Sequence, residues 1–241
     1  KGIVGHNFQY VTITDADVLF LNGWQEESYE VFDNFPKTGV VCTTPSPKSF
    51  KYLASNIFFN NLFSSNIQLS KVENSEDLKK FASSIDNPNI YNKFELQNIL
   101  TISHNKFKAV IGAGHFVATY KREIFDELEN THTHFSLGRG TVGKFLDTPV
   151  IKNGYWRLST YKNFTYHLGN VYEEWMQEEL NNLDKRDFKK SNFQSRGLKK
   201  SKFQIFIENK IFSKILSKKT FFKLYFLLKG FSKKDINNLL N

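Results

Sequence analysis

Two carboxylates, Asp15 and Asp17, interrupt the run Gln9 to Leu21, which is otherwise dominated by β-branched, aromatic and aliphatic residues. Side chains two apart on an extended chain point the same way, so a D-x-D pair at a strand end can turn both acids toward one cleft. Carboxylate oxygens are hard ligands, and a divalent cation held by them can bridge the two phosphates of a nucleoside diphosphate. When a sugar nucleotide breaks its C1 to phosphate-oxygen bond, negative charge grows on the diphosphate. A cation there is the Lewis acid that stabilises departure. A bare D-x-D also arises by chance as a solvated turn. Here it follows Tyr10-Val11-Thr12-Ile13, and a charge ending a buried strand needs solvent, a partner or a cation, because unpaired burial is expensive.

Other residues offer chemistry of their own. Gly112 and Gly114 permit close backbone approach to a ligand, and a tight turn needs glycine equally. His115 beside them can line a sugar or acceptor pocket, or simply pack. Arg139, Lys144 and Arg157 carry donors suited to a diphosphate or an anionic acceptor, with solvent-facing charge as the plainer role.

These residues need elements to hold them. Gln9 to Leu21 predicts a buried strand that emerges near Asp15. Trp24 to Phe35 is helical in character, Pro36 to Gly39 marks a turn, and Val40 to Thr44 reads as a second strand closed by Pro45 and Pro47. Residues 48 to 101 lack a clear period; helices are expected near 50 to 63 and 75 to 85. Lys108 to Ile111 reads as a strand running into the glycine turn, Phe116 to Thr119 as extended and Lys121 to Glu129 as helix. Beyond Tyr172 the chain reads as helical.

Tyr10 to Phe20 resembles the segment around the D-x-D motif of GT-A glycosyltransferases, the family 2-like group in particular. Gly112-Ala113-Gly114-His115 through Phe125 is similar to that group's second core signature, a glycine loop, an extended segment and an R-E-x-F helix start. Tyr155 to Thr160 and Tyr166 to Asn170 resemble the distal half of bacterial, galactosyltransferase-like members. The likeness spans most of residues 3 to 170. It implies a GT-A-like, Rossmann-related α/β fold with a mixed sheet flanked by helices. It also implies a metal-dependent, hexosyltransferase-type enzyme that inverts at the anomeric carbon. Such an enzyme moves a sugar from a UDP- or GDP-linked donor to a glycan or lipid-linked acceptor in cell-surface polysaccharide synthesis.

The same resemblance implies Mn²⁺ or Mg²⁺ with Asp15, Asp17 and His167 as ligands, and donor or acceptor binding by Asp15, Gly112, Gly114, His115 and Arg157. For His167 a hydrogen-bonded core role is an even alternative. An inverting transfer requires a general base. The Glu-Asp pair that family members carry after the glycine loop is absent, and Asp147 fills the role by position alone, with a turn cap before Pro149 as its equal alternative. Family members begin with a strand-helix-strand unit for the nucleoside, whereas this chain starts at Lys1 just before D-x-D, so an N-terminally truncated core is expected.

Composition narrows the classes. The 241 residues, 40% of them apolar, suffice for one packed domain and an appendage. A single cysteine, Cys42, excludes an internal disulfide and any cysteine-based zinc cluster. No signal-peptide layout or membrane-spanning run is present, which points to a cytoplasmic protein, peripheral at most at the inner face of the plasma membrane. Residues 184 to 241 hold sixteen Lys/Arg against four Asp/Glu, whereas the whole chain is only +9. The expected division is therefore a catalytic core over 1 to 183 and a basic, amphipathic helical tail over 184 to 241.

From Ser195 onward lysines alternate with Phe, Leu and Ile, a pattern that suits an anionic membrane surface or helices packed on the body with lysine stems over apolar area. No nucleic-acid-binding motif accompanies the charge. Two functions of different class follow: a sugar-nucleotide transferase, or a non-catalytic, membrane-associated or partner-binding remnant of the same fold. A hydrolase using Asp15 and Asp17 as acid and base ranks last, because neighbouring carboxylates on one strand do not flank a bond.

Overall fold

The structure is a computed structural model and describes residues 8–126, 140–169, 171–183, 197–198 and 200–240. Strands form where β-branched and aromatic residues cluster. They are Tyr10–Thr14 (β1), Val18–Phe20 (β2), Thr38–Cys42 (β3), Ile67–Lys71 (β4), Asn98–His104 (β5), Phe107–Ile111 (β6), Val117–Lys121 (β7), Trp156–Thr160 (β8) and Thr165–His167 (β9). Seven of them make a mixed sheet in the order β1-β7-β3-β8-β6-β5-β4, and β2 pairs with β9 in a separate two-stranded ribbon. Only β3 and β8 pair in parallel; every other pairing is antiparallel. Two antiparallel steps through β7 leave β1 running the same way as β3 and β8, so Asp15, Thr43 and Tyr161 all lie at the carboxyl ends of co-directional strands.

The central strands are buried on both faces, which is why they read as apolar runs without strict alternation. In β3, Val41 joins the larger core while Val40 and Cys42 join the smaller one across the sheet. The larger core lies under Trp24–Asn34 (α1) and Ser55–Asn60 (α2) and collects Val31, Phe32, Ile57, Phe58, Leu100, Ile111 and Leu158. The smaller one collects Ala118, Tyr120, Phe125, Val150 and Tyr155. Ser75–Ser84 (α3), capped by the Asn74 side chain accepting from Glu76 N–H, buries Leu78 and Ala82 in a third cluster. Thr148–Lys152 (α4) continues a π-helical turn at Gly143–Asp147, and Glu174–Asn181 (α5) follows β9.

Three departures from the sequence pattern have physical causes. The run Gln9 to Leu21 is two strands in two sheets, and β1 is a half-exposed edge strand with β7 as its neighbour. Residues 48 to 101 contain β4 and most of β5, which a helical expectation passes over. The β5–β6 hairpin turns through Asn105 and Lys106 at φ 47° and 70°, the left-handed pair of a tight hairpin, with Lys where Gly is usual. Lys121 to Glu129 is no helix over its described part: Lys121 ends β7, and Arg122–Phe125 is a single 3₁₀ turn.

The basic segment forms Lys202–Phe206 (α6), a π-helical turn at Ile207–Ile211, Phe212–Leu216 (α7), Lys219–Leu228 (α8) and Lys233–Leu240 (α9). Composition marks a boundary near residue 184, but packing does not. Leu216, Tyr225, Phe226, Ile236 and Leu239 belong to the same core as Val41 and Leu158. Two lysines turn inward to hold them there. Lys229 Nζ donates to the carbonyls of Asn61, Leu62 and Ser64 beyond the end of α2, where a cation suits the helix dipole. Lys200 pairs with the fully buried Glu208 at 2.8 Å. Among the described residues no helix is long and apolar enough to cross a membrane.

Candidate functional site

Asp15, Ala16 and Asp17 form the step by which the chain leaves the large sheet and enters the ribbon. Asp15 N–H still donates to Phe116 C=O at 2.8 Å, extending the β1–β7 ladder, while Asp17 C=O accepts from Leu168 N–H at 2.8 Å, opening the β2–β9 ladder. That register sets Val18 opposite His167. The consequence is an approach between side chains far apart in sequence: His167 Nε2 stands 3.5 Å from Asp17 Oδ2. His167 Nδ1 accepts from Gly169 N–H at 3.2 Å, so Nε2 is the nitrogen left to face the carboxylate. Hydroxyls tie the ribbon to the sheet, with Thr165 Oγ1 at 2.8 Å from Thr43 Oγ1 and 2.9 Å from Thr44 Oγ1. On the outer side, Tyr166 OH donates to Asp77 Oδ1 of α3 at 2.6 Å. Burial raises the pKa of both Tyr166 and Asp77.

Phe116 joins this corner to a second group. Its ring stacks on Phe81 at 5.5 Å and meets the His167 ring edge-on at 5.8 Å, and its chain neighbour is His115. The His115 side chain is 44% exposed, and its Nδ1 lies 3.6 Å from Asp147 Oδ1. Asp147 itself is buried and ion-paired to Arg157 Nη2 at 2.8 Å. The Arg157 guanidinium also donates to Ala113 C=O at 2.6 Å and Tyr52 C=O at 3.1 Å, and lies over the Tyr52 ring. Asp147 Oδ2, Arg157 Nε and the Tyr120 hydroxyl are buried without a hydrogen-bond partner among the described residues. Desolvation first, then the Asp147 charge, raises the Tyr120 pKa.

Two expected roles change in this geometry. Arg157, sequestered with its Nη atoms donating to protein acceptors, anchors the glycine loop and turns no free face to a ligand. Asp147, equally buried, stands behind His115, the member of the group that reaches solvent. Gly112 is explained by packing, since it has φ +95° and a Cβ there would meet the Ser49 backbone at 2.4 Å. Gly114 is not so constrained: among the described residues a Cβ there would meet only Cys42 Sγ, at 3.5 Å. Lys144 is exposed beside the Phe145 ring. Arg139 and Asn170 lie outside the described residues.

The donor set at the corner, carboxylate oxygen and imidazole nitrogen, has the chemistry that Mn²⁺ or Mg²⁺ accepts; for Nε2 to serve as a ligand, the ring proton has to move to Nδ1, which then gives up its bond from Gly169 N–H. Asp15 is exposed on the same turn. Among the described residues no three His, Cys, Asp or Glu side chains are grouped closely enough to hold an ion unaided, so a cation here would take further ligands from its substrate. A separate recess of about 170 Å³ opens beyond β3 and β8, lined by Thr44, Asp77, Tyr161, Lys162 and Asn163 among others. None of the candidate site residues read from the sequence lines it, and Thr44 and Asn163, hydrogen-bonded at 2.9 Å, are wall residues that no chemical motif marks. No protein-family model, curated protein or solved structure matches the chain.

Proposed function

We propose that the chain is the catalytic part of a metal-dependent glycosyltransferase of the GT-A kind. It moves a sugar from a UDP- or GDP-linked donor to a glycan or lipid-linked acceptor. The observation that carries this is the approach of Asp17 and His167 at the carboxyl end of the co-directional strands, the place where open α/β sheets bind ligands. Asp17 and His167, with Asp15 on the same turn, would hold Mn²⁺ or Mg²⁺, which supplies Lewis-acid stabilisation to the departing diphosphate.

His115 takes the acceptor proton as the acceptor oxygen bonds to the sugar C1, and the C1 to phosphate-oxygen bond breaks with its electron pair leaving on the diphosphate. Asp147, fixed by Arg157, orients the imidazole from behind, a carboxylate–histidine arrangement suited to general-base work. Calorimetric titration tests the metal half directly. A nucleoside diphosphate should bind the chain in Mn²⁺ and not in chelator, and Asp17→Ala or His167→Ala should each weaken the metal-dependent binding roughly tenfold or more. Unchanged metal-dependent binding in Asp17→Ala would overturn the assignment. Mn²⁺ binding that is absent, or unchanged in both variants, would favour a non-catalytic, partner-binding descendant of the fold.

A further inference from the structure

Helix α8 is apolar on both sides, and among the described residues the body covers only one of them. Phe222, Tyr225 and Phe226 pack edge-on against Phe50 and Phe58. On the opposite side Phe221 is 46%, Leu224 50% and Leu228 76% exposed. A surface helix ordinarily turns polar residues outward, and clustered outward apolar residues of this kind mark an interaction face. The face continues into the preceding helical stretch, where Phe206, Ile211, Ile215 and Phe221 share a shallow recess of about 400 Å³ with Lys210, Lys214 and Lys218. All three lysines line that one recess, and so make a single basic stripe beside its apolar side chains.

Charge decides what the face fits. Residues 200 to 240 hold ten lysines and two acids. One acid, Glu208, is buried against Lys200, and the other, Asp235, accepts from the Ser232 hydroxyl at the start of α9. Neither acid lines the recess that holds the lysine stripe. A second copy docked symmetrically would set lysine stripe against lysine stripe. An anionic lipid surface satisfies both halves of the pattern, with rings and leucines entering the headgroup boundary and ammonium groups meeting lipid phosphates.

We propose that the face formed by Phe206, Ile211, Ile215, Phe221, Leu224 and Leu228 with Lys210, Lys214 and Lys218 docks the protein peripherally on an anionic bilayer. The proposal stands apart from the sugar-transfer assignment and is tested without it. The whole chain is mixed with phosphatidylcholine vesicles, with and without phosphatidylglycerol, and floated on a density gradient. Binding is expected only with the anionic lipid, and it should fall with added salt.

Lys210→Glu/Lys214→Glu/Lys218→Glu should weaken binding roughly a hundredfold or more, at about fivefold per lysine lost. Leu224→Ser/Leu228→Ser should weaken it as well, while its circular dichroism and melting stay native because both positions are exposed. Lys93→Glu/Lys106→Glu, on the body, should leave binding within about twofold. Failure of the unmodified chain to bind anionic vesicles at low salt overturns the proposal. So does equal loss in the body control, which would reduce the effect to net charge. Dimerisation in sedimentation analysis, abolished by Leu224→Ser/Leu228→Ser and without vesicle binding, would assign the face to a second copy instead.

Discussion

At Gly112 two constraints coincide, a left-handed backbone and a neighbour with no room to give, since the 2.4 Å overlap is with Ser49 backbone rather than with a flexible side-chain tip. Gly112→Ala should therefore cost about 3 kcal/mol, combining the left-handed penalty with overpacking. Gly114→Ala, whose new methyl would lie at ordinary contact distance from Cys42 Sγ, should stay within about 0.5 kcal/mol of the parent. Urea denaturation of the two variants checks both figures. If Gly114→Ala is fully stable yet weakens ligand binding, that glycine serves the ligand, and the two glycines of one motif divide structure from function. The same distinction applies to Arg157 and Asp147. Ion-paired and buried, they are costly to break singly, so their loss of function on mutation has to be separated from loss of fold.

The connection between tail helices and body is concentrated in a few groups. Glu208 Oε2 pairs with Lys200, and its Oε1 accepts from Asn60 of α2 at 2.6 Å and from Gln204 at 2.9 Å. Replacing Glu208 with Leu strands the Lys200 charge in the interior and should cost about 3 to 5 kcal/mol. Hydrogen exchange should report faster opening of both α2 and α7. If only the tail opens faster, core and tail are separate folding units after all.

None of this coupling is legible in the sequence, because Lys200 and Glu208 look like two more members of a basic helix and Asn60 lies far upstream. What can be read is local. Trp24 to Phe35 has its helical period, Val40 to Thr44 is punctuated by Pro45 and Pro47, and Gly112 ends a strand. The hairpin partner β4 is missed because Ile67-Gln68-Leu69-Ser70-Lys71 is short and ends in a lysine. The proximity of Asp17 to His167 has no local signal, because a three-residue ribbon creates it; only family likeness suggested the pair. Arg157 reads as an exposed ligand contact, and nothing near it in the chain announces that Asp147 will neutralise it in the interior.

Across the whole molecule, burial sets the alkaline behaviour. Desolvation raises the pKa of Tyr120, Tyr155, Tyr166 and Tyr225. Above about pH 10 the unfolded chain loses these phenolic protons while the folded chain keeps them, so these groups make stability fall as pH rises. Lys37, Lys121 and Lys229, lowered by the same desolvation, act in the opposite sense on approaching their unfolded value. Tyr225→Phe isolates the first effect. It should be about 1 kcal/mol less stable at neutral pH, having lost the hydrogen bond to Phe58 C=O. The deficit should narrow between about pH 9 and pH 11, where only the parent is penalised; denaturation midpoints at the two pH values decide it.

The tail's contribution to the core also bears on how the protein is made. Phe58 and Phe50 gain Phe222, Tyr225 and Phe226 as neighbours across a long stretch of chain, 167 residues separating Phe58 from Tyr225. A ribosome therefore carries a body with an uncovered aromatic surface until the segment holding α8 has emerged, which makes this nascent chain a client for whatever cellular machinery shields apolar surface.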